Sequence, residues 1–422
     1  MHQESQVDRL YLVGLGDNSL TAQRAAGASL GRKVRGKAVE LISLCAMSAG
    51  EVQAHGVSIA LGAYSWSLKS GKTPELPQIY LATSEVKAVN EASIRAQALY
   101  LARDLIHTPA NIKNPIWMAQ EAKQIAGEKG LAISVLSGKE LSRFGGLQAV
   151  GNSSPIPGPR FIEVTYIPKG KTRSAAALPH VVIVGKGVTF DTGGISLKRP
   201  YESMTAMKSD MAGAAAALAT LSALPDLSPQ VKVTALLMCA ENSLSATAQR
   251  PSDVITQYDG TTVEIINTDA EGRLLLADGL AYAIDKLDPD YLFDIATLTG
   301  SATLGLGRQY AAMYTRDEKL AKELVAIGES SGERVWHMPL IDDYIDSLES
   351  DVADLNHAAD KGDYSAGSVT AALYLEKFVG QARWVHLDIA GPGRSESDSG
   401  ENVKGGTGFG VRFLLDWIVS LS

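Results

Sequence analysis

The sequence predicts an α/β protein, in which a small N-terminal α/β domain is joined by a helix to a larger C-terminal domain with a mostly parallel central sheet flanked by helices. A chain of 422 residues is too long for one small core and typical of two domains. In its second half, apolar β-branched segments alternate with helical ones, which favours a parallel sheet covered on both faces. We assign residues 1–85 to the first domain, 86–107 to the connecting helix and 108–422 to the larger domain.

Composition restricts the class of protein. A hydrophobic fraction of 45% and a charged fraction of 20% are those of an ordinary soluble globule. A net charge of −8 argues against a general nucleic-acid surface, because phosphate binding needs clustered Lys and Arg. Cys45 and Cys239 cannot form a disulfide framework, no long apolar run suggests a membrane span, and residues 1–5 lack the features of a signal peptide. Together these features predict a cytoplasmic protein.

The N-terminal domain is expected to begin with a strand at Leu10–Val13, followed by a turn at Gly14–Asp17 and a helical pattern through Leu30. This order resembles the start of a dinucleotide fingerprint, but the third glycine is absent, so an ordinary strand, turn and helix is favoured. The rest of the domain is predicted as an apolar segment at Val57–Tyr64, a loop at Ser65–Pro77 and a strand at Gln78–Leu81.

The connecting helix is predicted from Glu85 to Ile106, because apolar residues such as Ile94 and Leu105 fall on one helical face. Pro109 ends it, since proline disfavours helix in the residue before it. We interpret His107 as a packed or capping residue and not as a metal ligand.

The strands and helices of the larger domain are predicted from its alternating apolar segments. Strands are predicted at Val181–Val184, Val231–Met238, Val263–Ile266, Tyr291–Ile295 and Trp384–Ile389. Helices are predicted at Met211–Ala223, Leu274–Leu287, Leu320–Ser330 and Ser368–Val379. Several strands end in small or polar residues, and ligands of open α/β sheets bind at the carboxyl ends of strands. We therefore expect the functional site at that edge.

The run Asn267–Leu274 concentrates charge in a strand-to-helix turn. Asp269 and Glu271 are two residues apart, so both can face one point if the local chain is extended, and Arg273 follows them. The helix N-terminus adds positive potential. Taken alone, the run fits a helix N-cap with an acidic first turn equally well.

Two further polar runs, Val184–Lys198 and Met207–Gly213, favour a metal site. Together with Asn267–Leu274, these two runs supply three aspartates, one glutamate, three lysines and one arginine, many of them beside glycines. Divalent cations prefer oxygen ligands, and two metals that share bridging carboxylates need about this many. A hydroxide held between two metals is a nucleophile at neutral pH.

These runs resemble the leucine (cytosol) aminopeptidase family, whose signature is the octapeptide Asn267–Leu274 as it stands here. A second, separate motif in the same order makes the match specific. The resemblance covers the chain from about Arg103 to the C-terminus, and the N-terminal part more weakly. It implies a two-metal peptidase domain at 108–422 and a short, macro-domain-like first domain.

The resemblance implies five metal ligands. One metal would take Lys186, Asp191, Asp210 and Glu271, and the other would take Asp191, Glu271 and Asp269, the last also through its carbonyl. Asp191 and Glu271 would bridge. A lysine ligand must be neutral, because an ammonium has no lone pair.

The stretch between Lys198 and Asp210 is one residue longer than the family pattern leads us to expect. This leaves Glu202 as a less favoured substitute for Asp210. The sequence Met207–Met211 around Asp210 favours the aspartate.

Two more residues carry catalytic roles by resemblance. Lys198 would polarise the scissile carbonyl and stabilise the oxyanion. Arg273 would hold a bicarbonate ion as proton shuttle, and a plain salt bridge from Arg273 to a neighbouring carboxylate is the alternative.

The resemblance also implies the substrate and its binding residues. Peptides with a free α-amino group would anchor on one metal, and N-terminal leucine or another apolar residue would be released by metal-bridged hydroxide attack. Met207, Thr297, Gly300 and Ala390 match positions that line the pocket for the first side chain. The Leu298 carbonyl would bind near the substrate amine. Specificity should be broad, since one methylene is worth only about 1–3 kcal/mol.

The resemblance leaves the metal open between zinc and manganese, with cobalt and magnesium as further possibilities. It implies a homohexamer, a dimer of trimers with active sites facing an inner cavity.

Three alternatives stay open at this point. A two-metal phosphohydrolase usually carries histidine ligands, a DNA-binding regulator conflicts with the acidic charge, and a catalytically dead scaffold conflicts with the apparent completeness of the site. No His-Glu-x-x-His or Gly-x-Ser-x-Gly motif occurs, and Cys239 lacks evident partners. We expect His386 to be buried and hydrogen-bonded.

Overall fold

The computed structural model describes residues 7–71, 74–169, 178–359 and 365–422. The chain divides into two units, of which the first comprises residues 1–96 with 399–402 and the second comprises residues 97–398 with 403–422. The boundary at residue 96 falls inside a long helix, Val86–His107. Residues 1–5, on which the expectation about a signal peptide rests, and residues 72–73 of the predicted Ser65–Pro77 loop lie outside the described ranges.

The first unit contains two packed helices and a parallel strand pair. Its elements, up to the helix that crosses the boundary, are α1 (Leu20–Val34), β1 (Glu40–Ser43), α2 (Ala49–Ala63), β2 (Gln78–Leu81) and α3 (Val86–His107). Helices α1 and α2 approach closely, since a Cβ built on Gly31 would lie 2.1 Å from the carbonyl oxygen of Ile59. Leu30, Val34 and Leu41 pack with Ile59 in the core of this unit.

The predicted strand at Leu10–Val13 is wrong, because residues 7–15 form neither strand nor helix. Leu10 and Leu12 are 79% and 92% exposed, so the apolar run gains no burial from pairing. The apolar segment Val57–Tyr64 lies in helix α2 up to Ala63. A capping box, in which the Ser48 and Glu51 side chains bind each other's backbone N–H groups, begins that helix.

The second unit is an α/β assembly. Its helices are α4 (Pro115–Lys129), α5 (Gly145–Gly151), α6 (Ala212–Leu227), α7 (Gly272–Leu287), α8 (Gly300–Leu306), α9 (Glu318–Ser331), α10 (Gly367–Glu376) and α11 (Val411–Ser420). Its strands are β3 (Ala132–Ser137), β4 (Arg160–Tyr166), β5 (His180–Asp191), β6 (Lys232–Asn242), β7 (Val254–Thr256), β8 (Thr262–Glu264), β9 (Tyr291–Ala296), β10 (Ala311–Tyr314), β11 (Val335–His337), β12 (Leu355–Asn356), β13 (Arg383–Asp388), β14 (Arg394–Ser395) and β15 (Gly405–Gly406).

The central sheet has eight strands in the order β11-β10-β13-β9-β5-β6-β4-β3. Its four middle strands, β13, β9, β5 and β6, run parallel, while β4 and β3 add antiparallel pairs at one edge. The predicted mostly parallel sheet is therefore confirmed. The prediction for Val263–Ile266 needs a correction. The strand found there, β8, lies outside the central sheet and belongs, within the described residues, to a three-stranded sheet with β7 and β12.

Helices cover both faces of β5. A Cβ on Gly185 would lie 2.7 Å from the Cα of Ala214 in α6, so that residue faces α6. The neighbouring Val184 side chain lies against Gly279 of α7. Because successive strand residues point to opposite faces, α6 and α7 sandwich the strand, as the alternating pattern predicts.

None of the helices within the described ranges combines the length and apolarity needed to cross a bilayer.

Candidate metal centre

Strand β5 carries the first two polar residues of the site toward its carboxyl end. Lys186 lies in the parallel part of the strand, paired with Met238 of β6, and Asp191 is the last strand residue. Both are buried, at 3% and 2% exposure. The Asp191 Oδ1 atom accepts hydrogen bonds from the backbone N–H of Gly193 and from Asn242 Nδ2, both at 2.8 Å, which fixes the carboxylate.

The turn at Asn267–Glu271 supplies two more carboxylates. Asn267 Oδ1 accepts from the N–H of Asp269 at 2.9 Å, and the Asn267 carbonyl accepts from Ala270 N at 3.0 Å. Glu271 immediately precedes α7 but makes no side-chain capping bond. Its Oε1 atom instead lies 2.8 Å from Lys186 Nζ, so the ordinary N-cap interpretation does not describe this turn.

The loop after β5 and the turn before α7 are joined through Thr268. Its hydroxyl donates to the Gly193 carbonyl at 2.6 Å and accepts from Ser196 N at 2.8 Å. Gly193 has a φ of 87°, and a Cβ there would lie 2.8 Å from Asp269 Oδ1. Glycine is therefore required both by the backbone conformation and by the close approach of the carboxylate.

The carboxylates converge. Asp191, Asp269 and Glu271 each offer one oxygen, and these oxygens lie within 4.8 Å of one another. Lys198 Nζ lies 2.7 Å from Asp191 Oδ2 and 2.6 Å from Asp269 Oδ1. Lys186 Nζ lies 2.8 Å from Glu271 Oε1 and, across the cluster, 2.8 Å from Asp210. The polar runs of the sequence are thus brought to one point.

Asp210 follows a 3-10 segment, Tyr201–Ser209, and is 5% exposed. Its Oδ1 atom accepts from Lys186 Nζ at 2.8 Å and from Thr297 Oγ1 at 2.7 Å. Glu202, the substitute considered for it, is exposed. The structure gives the aspartate the environment expected of a ligand.

The lysines and carboxylates control each other's ionisation. Burial alone lowers the pKa of Lys186, but Asp210, Glu271 and Asp191 outweigh it and hold that pKa above its ordinary value. The pKa of Lys198 is raised against burial by the same carboxylates. Burial raises the pKa of Asp191 to about 6, and the charge of Glu271 adds to the effect. A neutral Lys186 therefore requires another cation to replace its proton.

The donor set fits a divalent cation. Asp210 Oδ2, Asp269 Oδ1 and Glu271 Oε1 are buried, and each lies 2.6–2.8 Å from a lysine ammonium nitrogen. Buried carboxylates are costly without a cation to balance their charge, and a hard divalent cation could take the place of the ammonium groups at several of these oxygens at once. The residues present are therefore compatible with the ions that the family resemblance implies.

Arg273 lies in the first turn of α7 and is 7% exposed. Its Nη1 atom donates to the His357 carbonyl at 2.9 Å, and its Nε atom has no hydrogen-bond partner within the described ranges. Burial lowers its pKa to about 10. The alternative salt bridge to a carboxylate does not occur among the ion pairs of residues 7–71, 74–169, 178–359 and 365–422.

The expected pocket residues flank this cluster to different degrees. The Thr297 carbonyl accepts from Lys186 Nζ at 2.9 Å, and its hydroxyl reaches Asp210. Leu298 follows, half-buried, and Gly300 begins α8 with open space around its Cα. Met207 lies in the 3-10 segment before Asp210, and Ala390 lies two residues after β13. The Met207 carbonyl accepts from Asp210 N at 3.2 Å, and Ala390 N donates to Asp388 Oδ1 at 3.1 Å.

Two supporting residues were missed by the sequence interpretation. Asn242 Nδ2 bridges Asp191 and the Thr268 carbonyl at 2.8 and 3.0 Å, and Asp388 accepts hydrogen bonds from Leu298 and Thr299. A signal existed for both, since each is a polar residue at the carboxyl end of an apolar strand. Their hydrogen bonds depend on strand order, which spacing alone does not give.

The surroundings of His107 and His386 agree with the interpretation of these residues from the sequence. His107 is buried and its Nδ1 atom lies 2.7 Å from the Arg103 carbonyl. His386 is fully buried, with Nδ1 2.6 Å from Asp294 Oδ1. Neither joins the carboxylate cluster of the described residues.

Fold and site together define an α/β protein with an acidic centre suited to divalent cations at the carboxyl edge of a parallel sheet. The chain belongs to the cytosol aminopeptidase family, whose catalytic domain matches residues 100–415. The resemblance predicted from the octapeptide is thereby confirmed, and the protein is placed in the class of metal-dependent aminopeptidases.

Relatives match over nearly the whole chain. A probable cytosol aminopeptidase of Chlorobium phaeobacteroides is 41% identical over 446 residues, covering 97% of this chain and 86% of that protein. One of Aquifex aeolicus is 39% identical over 434 residues, covering 99% and 86%. Among solved structures, the bottromycin maturation enzyme BotP in complex with Mn has a TM-score of 0.88 at 37% identity, covering 97% of this chain and 90% of that one.

Proposed function

We propose that the protein is a two-metal aminopeptidase that releases N-terminal leucine or other apolar residues from peptides. The observation that carries the proposal is the convergence of Asp191, Asp269 and Glu271, whose carboxylate oxygens lie within 4.8 Å of one another in a member of this family. The manganese complex of a structural neighbour is consistent with an occupied centre of this kind.

Lys186, Asp191, Asp210, Asp269 and Glu271 would hold two divalent ions. When bound, the ions lower the pKa of a shared water so that it can attack a carbonyl at neutral pH. The buried oxygens of Asp210, Asp269 and Glu271, which face the ammonium groups of Lys186 and Lys198, support this assignment. Zinc and manganese are our first choices, with cobalt and magnesium as alternatives.

Two cationic side chains complete the chemistry. Lys198 is 17% exposed and lies against the carboxylates, so its ammonium can move to a developing oxyanion without leaving the site. Arg273 offers a buried Nε–H without a partner, which supports its proposed role in holding a bicarbonate ion as proton shuttle. A bound anion would supply the acceptor that this donor lacks.

The pocket for the first side chain would be lined by Met207, Thr297, Gly300 and Ala390, with the Leu298 carbonyl next to the substrate amine. These residues are small or apolar, which favours leucine-like over charged side chains. Because hydrophobic pockets discriminate weakly between sizes, we expect several apolar residues to be released.

Assembly and location are proposed from the family. We propose a cytoplasmic homohexamer with peptides as its substrates. Light scattering of the purified protein tests the assembly, and a monomeric mass would contradict it.

Neither of the two competing activities is favoured. A two-metal phosphohydrolase usually carries histidine ligands, and the carboxylate cluster of the described chain contains no histidine. A DNA-binding role gains nothing from a net charge of −8, and a gel-shift at physiological salt tests it.

The decisive experiment strips the protein with a chelator and restores zinc, manganese, cobalt or magnesium singly. We expect hydrolysis of leucyl-p-nitroanilide to vanish and return, while N-acetyl-leucyl-p-nitroanilide stays intact because its amine is blocked. Full activity in the stripped protein, or in Asp269→Asn, would refute the proposal.

A further inference from the structure

Asp388 has an unusual number of hydrogen bonds for a residue outside the carboxylate cluster. It is the last residue of β13 and is 1% exposed. Its Oδ1 atom accepts from the backbone N–H groups of Leu298 and Ala390, both at 3.1 Å. Its Oδ2 atom accepts from Thr299 N at 3.0 Å and from Thr299 Oγ1 at 2.6 Å. The carboxylate thus fixes two separate strand ends.

These bonds determine where two carbonyl groups point. In a trans peptide the N–H and the preceding C=O are directed oppositely, and the peptides of this turn are trans. The N–H of Leu298 points to Asp388, so the Thr297 carbonyl must point away from it. Lys186 Nζ indeed donates to that carbonyl at 2.9 Å, on the side of the metal-binding cluster. By the same rule, the N–H of Thr299 directs the Leu298 carbonyl away from Asp388.

The turn is held from its other side as well. Thr297 Oγ1 donates to Asp210 Oδ1 at 2.7 Å, so the segment is bonded both to Asp210 and to Asp388. Thr299 Oγ1 also accepts from Ala302 N at 3.1 Å and begins helix α8. Both ends of the short segment are therefore fixed before any substrate arrives.

We propose that Asp388 is a positioning residue for recognition of the substrate's α-amino group. It directs the Leu298 carbonyl toward the site, where the carbonyl accepts an N–H of the primary amine, and it fixes Ala390 in the wall of the side-chain pocket. The inference rests on the proposed aminopeptidase function. It adds a residue that does not touch the substrate and acts through the backbone it binds.

The test compares ligands that differ only in the amine. Asp388→Asn keeps the shape of the side chain but turns one acceptor into a donor that faces N–H or O–H groups, so at least one of the two strand ends loses its acceptor. We expect KM for leucyl-p-nitroanilide and Ki for leucine hydroxamate to rise about tenfold, the equivalent of one hydrogen bond. The Ki of 4-methylpentanohydroxamic acid, which lacks the amine, should change less than about twofold.

Two further variants keep the test decisive. Asp317→Asn is the control, because Asp317 also accepts from a backbone N–H group and from a side chain, namely Leu320 N at 2.9 Å and Arg383 Nε at 2.8 Å. It contacts the first residue of β13 and not the last. We expect its KM to equal that of the wild type. Thr299→Val removes the hydroxyl bond to Asp388 and the cap bond from Ala302 N, but keeps the three backbone N–H bonds to Asp388. It should give the same amine-selective loss at a smaller size, about threefold. It decides the question if Asp388→Asn does not fold.

Equal weakening of both hydroxamates, or unchanged KM and Ki in the folded variants, would overturn the role of Asp388. A wild-type protein without metal-dependent hydrolysis would instead refute the proposed function. The two failures are therefore distinguishable.

Discussion

Two regions of the larger unit each bury a lysine, and they shift its pKa in opposite directions. Lys186 is 3% exposed and faces carboxylates, which hold its pKa above the ordinary value against the effect of burial. Lys113 is fully buried, and its Nζ atom donates to the carbonyls of Leu105, Ile106 and Lys208 at 2.9, 3.2 and 2.7 Å. Burial, with the charge of Lys208 adding to it, holds the pKa of Lys113 well below the ordinary value.

The difference separates a structural lysine from the one that we propose as a metal ligand. Lys113 satisfies carbonyl groups at the C-terminal end of α3 that have no partner within the helix, and it ties them to the 3-10 segment before Asp210. Lys186 neutralises carboxylates that a divalent cation could also neutralise. The side chain of Lys113 meets neutral carbonyl dipoles. The side chain of Lys186 meets carboxylates, whose negative charge another cation could balance in its place.

The largest effect is expected at Lys186. In Lys186→Met, hydrolysis of leucyl-p-nitroanilide should fall below detection, because a metal ligand is lost. In chelator, the free energy of unfolding should fall by about 3–5 kcal/mol, since buried carboxylates lose their partner. Thermal melts and steady-state kinetics check both. Lys286→Met, at an exposed ion pair with Asp285, is the control and should change neither; retained activity in Lys186→Met would contradict the assignment.

Lys198→Met tests whether the second lysine of the cluster acts on the transition state. Loss of an oxyanion donor should reduce kcat by about 10²–10³-fold while KM changes little. Metal content, measured by elemental analysis, should remain. An unchanged kcat would leave Lys198 only as a counter-ion of Asp191 and Asp269, to which it is now paired.

Lys113→Met should destabilise the fold without removing the chemistry. The buried carbonyls would lose their donor, and we expect the free energy of unfolding to fall by about 2–4 kcal/mol. The folded protein should keep most of its activity, and added divalent ions should not restore the lost stability selectively. Lys129→Met, which breaks a partly exposed ion pair with Asp226, is the control and should cost at most about 1 kcal/mol.

The smallest effect is expected from His180, a buried group whose pKa is lowered mainly by burial, as it is at Lys113. Burial, with Lys232 adding to it, lowers its pKa to about 4 from 6.5. Its contribution to stability is therefore complete above pH 6.5 and is lost as the pH falls toward 4. Between pH 7 and 5, denaturant unfolding should show about 2 kcal/mol more loss for the wild type than for His180→Gln. Parallel curves would contradict this.

Local sequence patterns predicted most elements of the larger unit. The strand segments Val181–Val184, Tyr291–Ile295 and Trp384–Ile389 lie in the central sheet, as their apolar β-branched composition indicates. The predictions failed where an apolar segment needed a neighbouring strand to pair with. Leu10–Val13 is as apolar as the successful segments, but an isolated strand gains neither hydrogen bonds nor burial.

The candidate site was predicted mainly from its octapeptide and the resemblance that it carries. Residue type and order favoured oxygen-ligand chemistry at the glycine-rich strand ends, but Asp191, Asp269 and Glu271 were assigned as ligands through the resemblance. Spacing did not predict that Lys186 would be buried among acids, and without the family it would have been taken for a surface cation.

The sequence by itself determined the fold class, the strands of the parallel sheet and the chemical types available at its carboxyl edge, because these follow from local periodicity and composition. Only the tertiary structure decided which charges meet. Asp388 and Asn242 act through strand neighbours far away in the chain, and Lys113 and Lys186 differ in pKa through groups brought to them by folding. Electrostatic interactions depend on distance and burial in space, which no separation along the chain specifies.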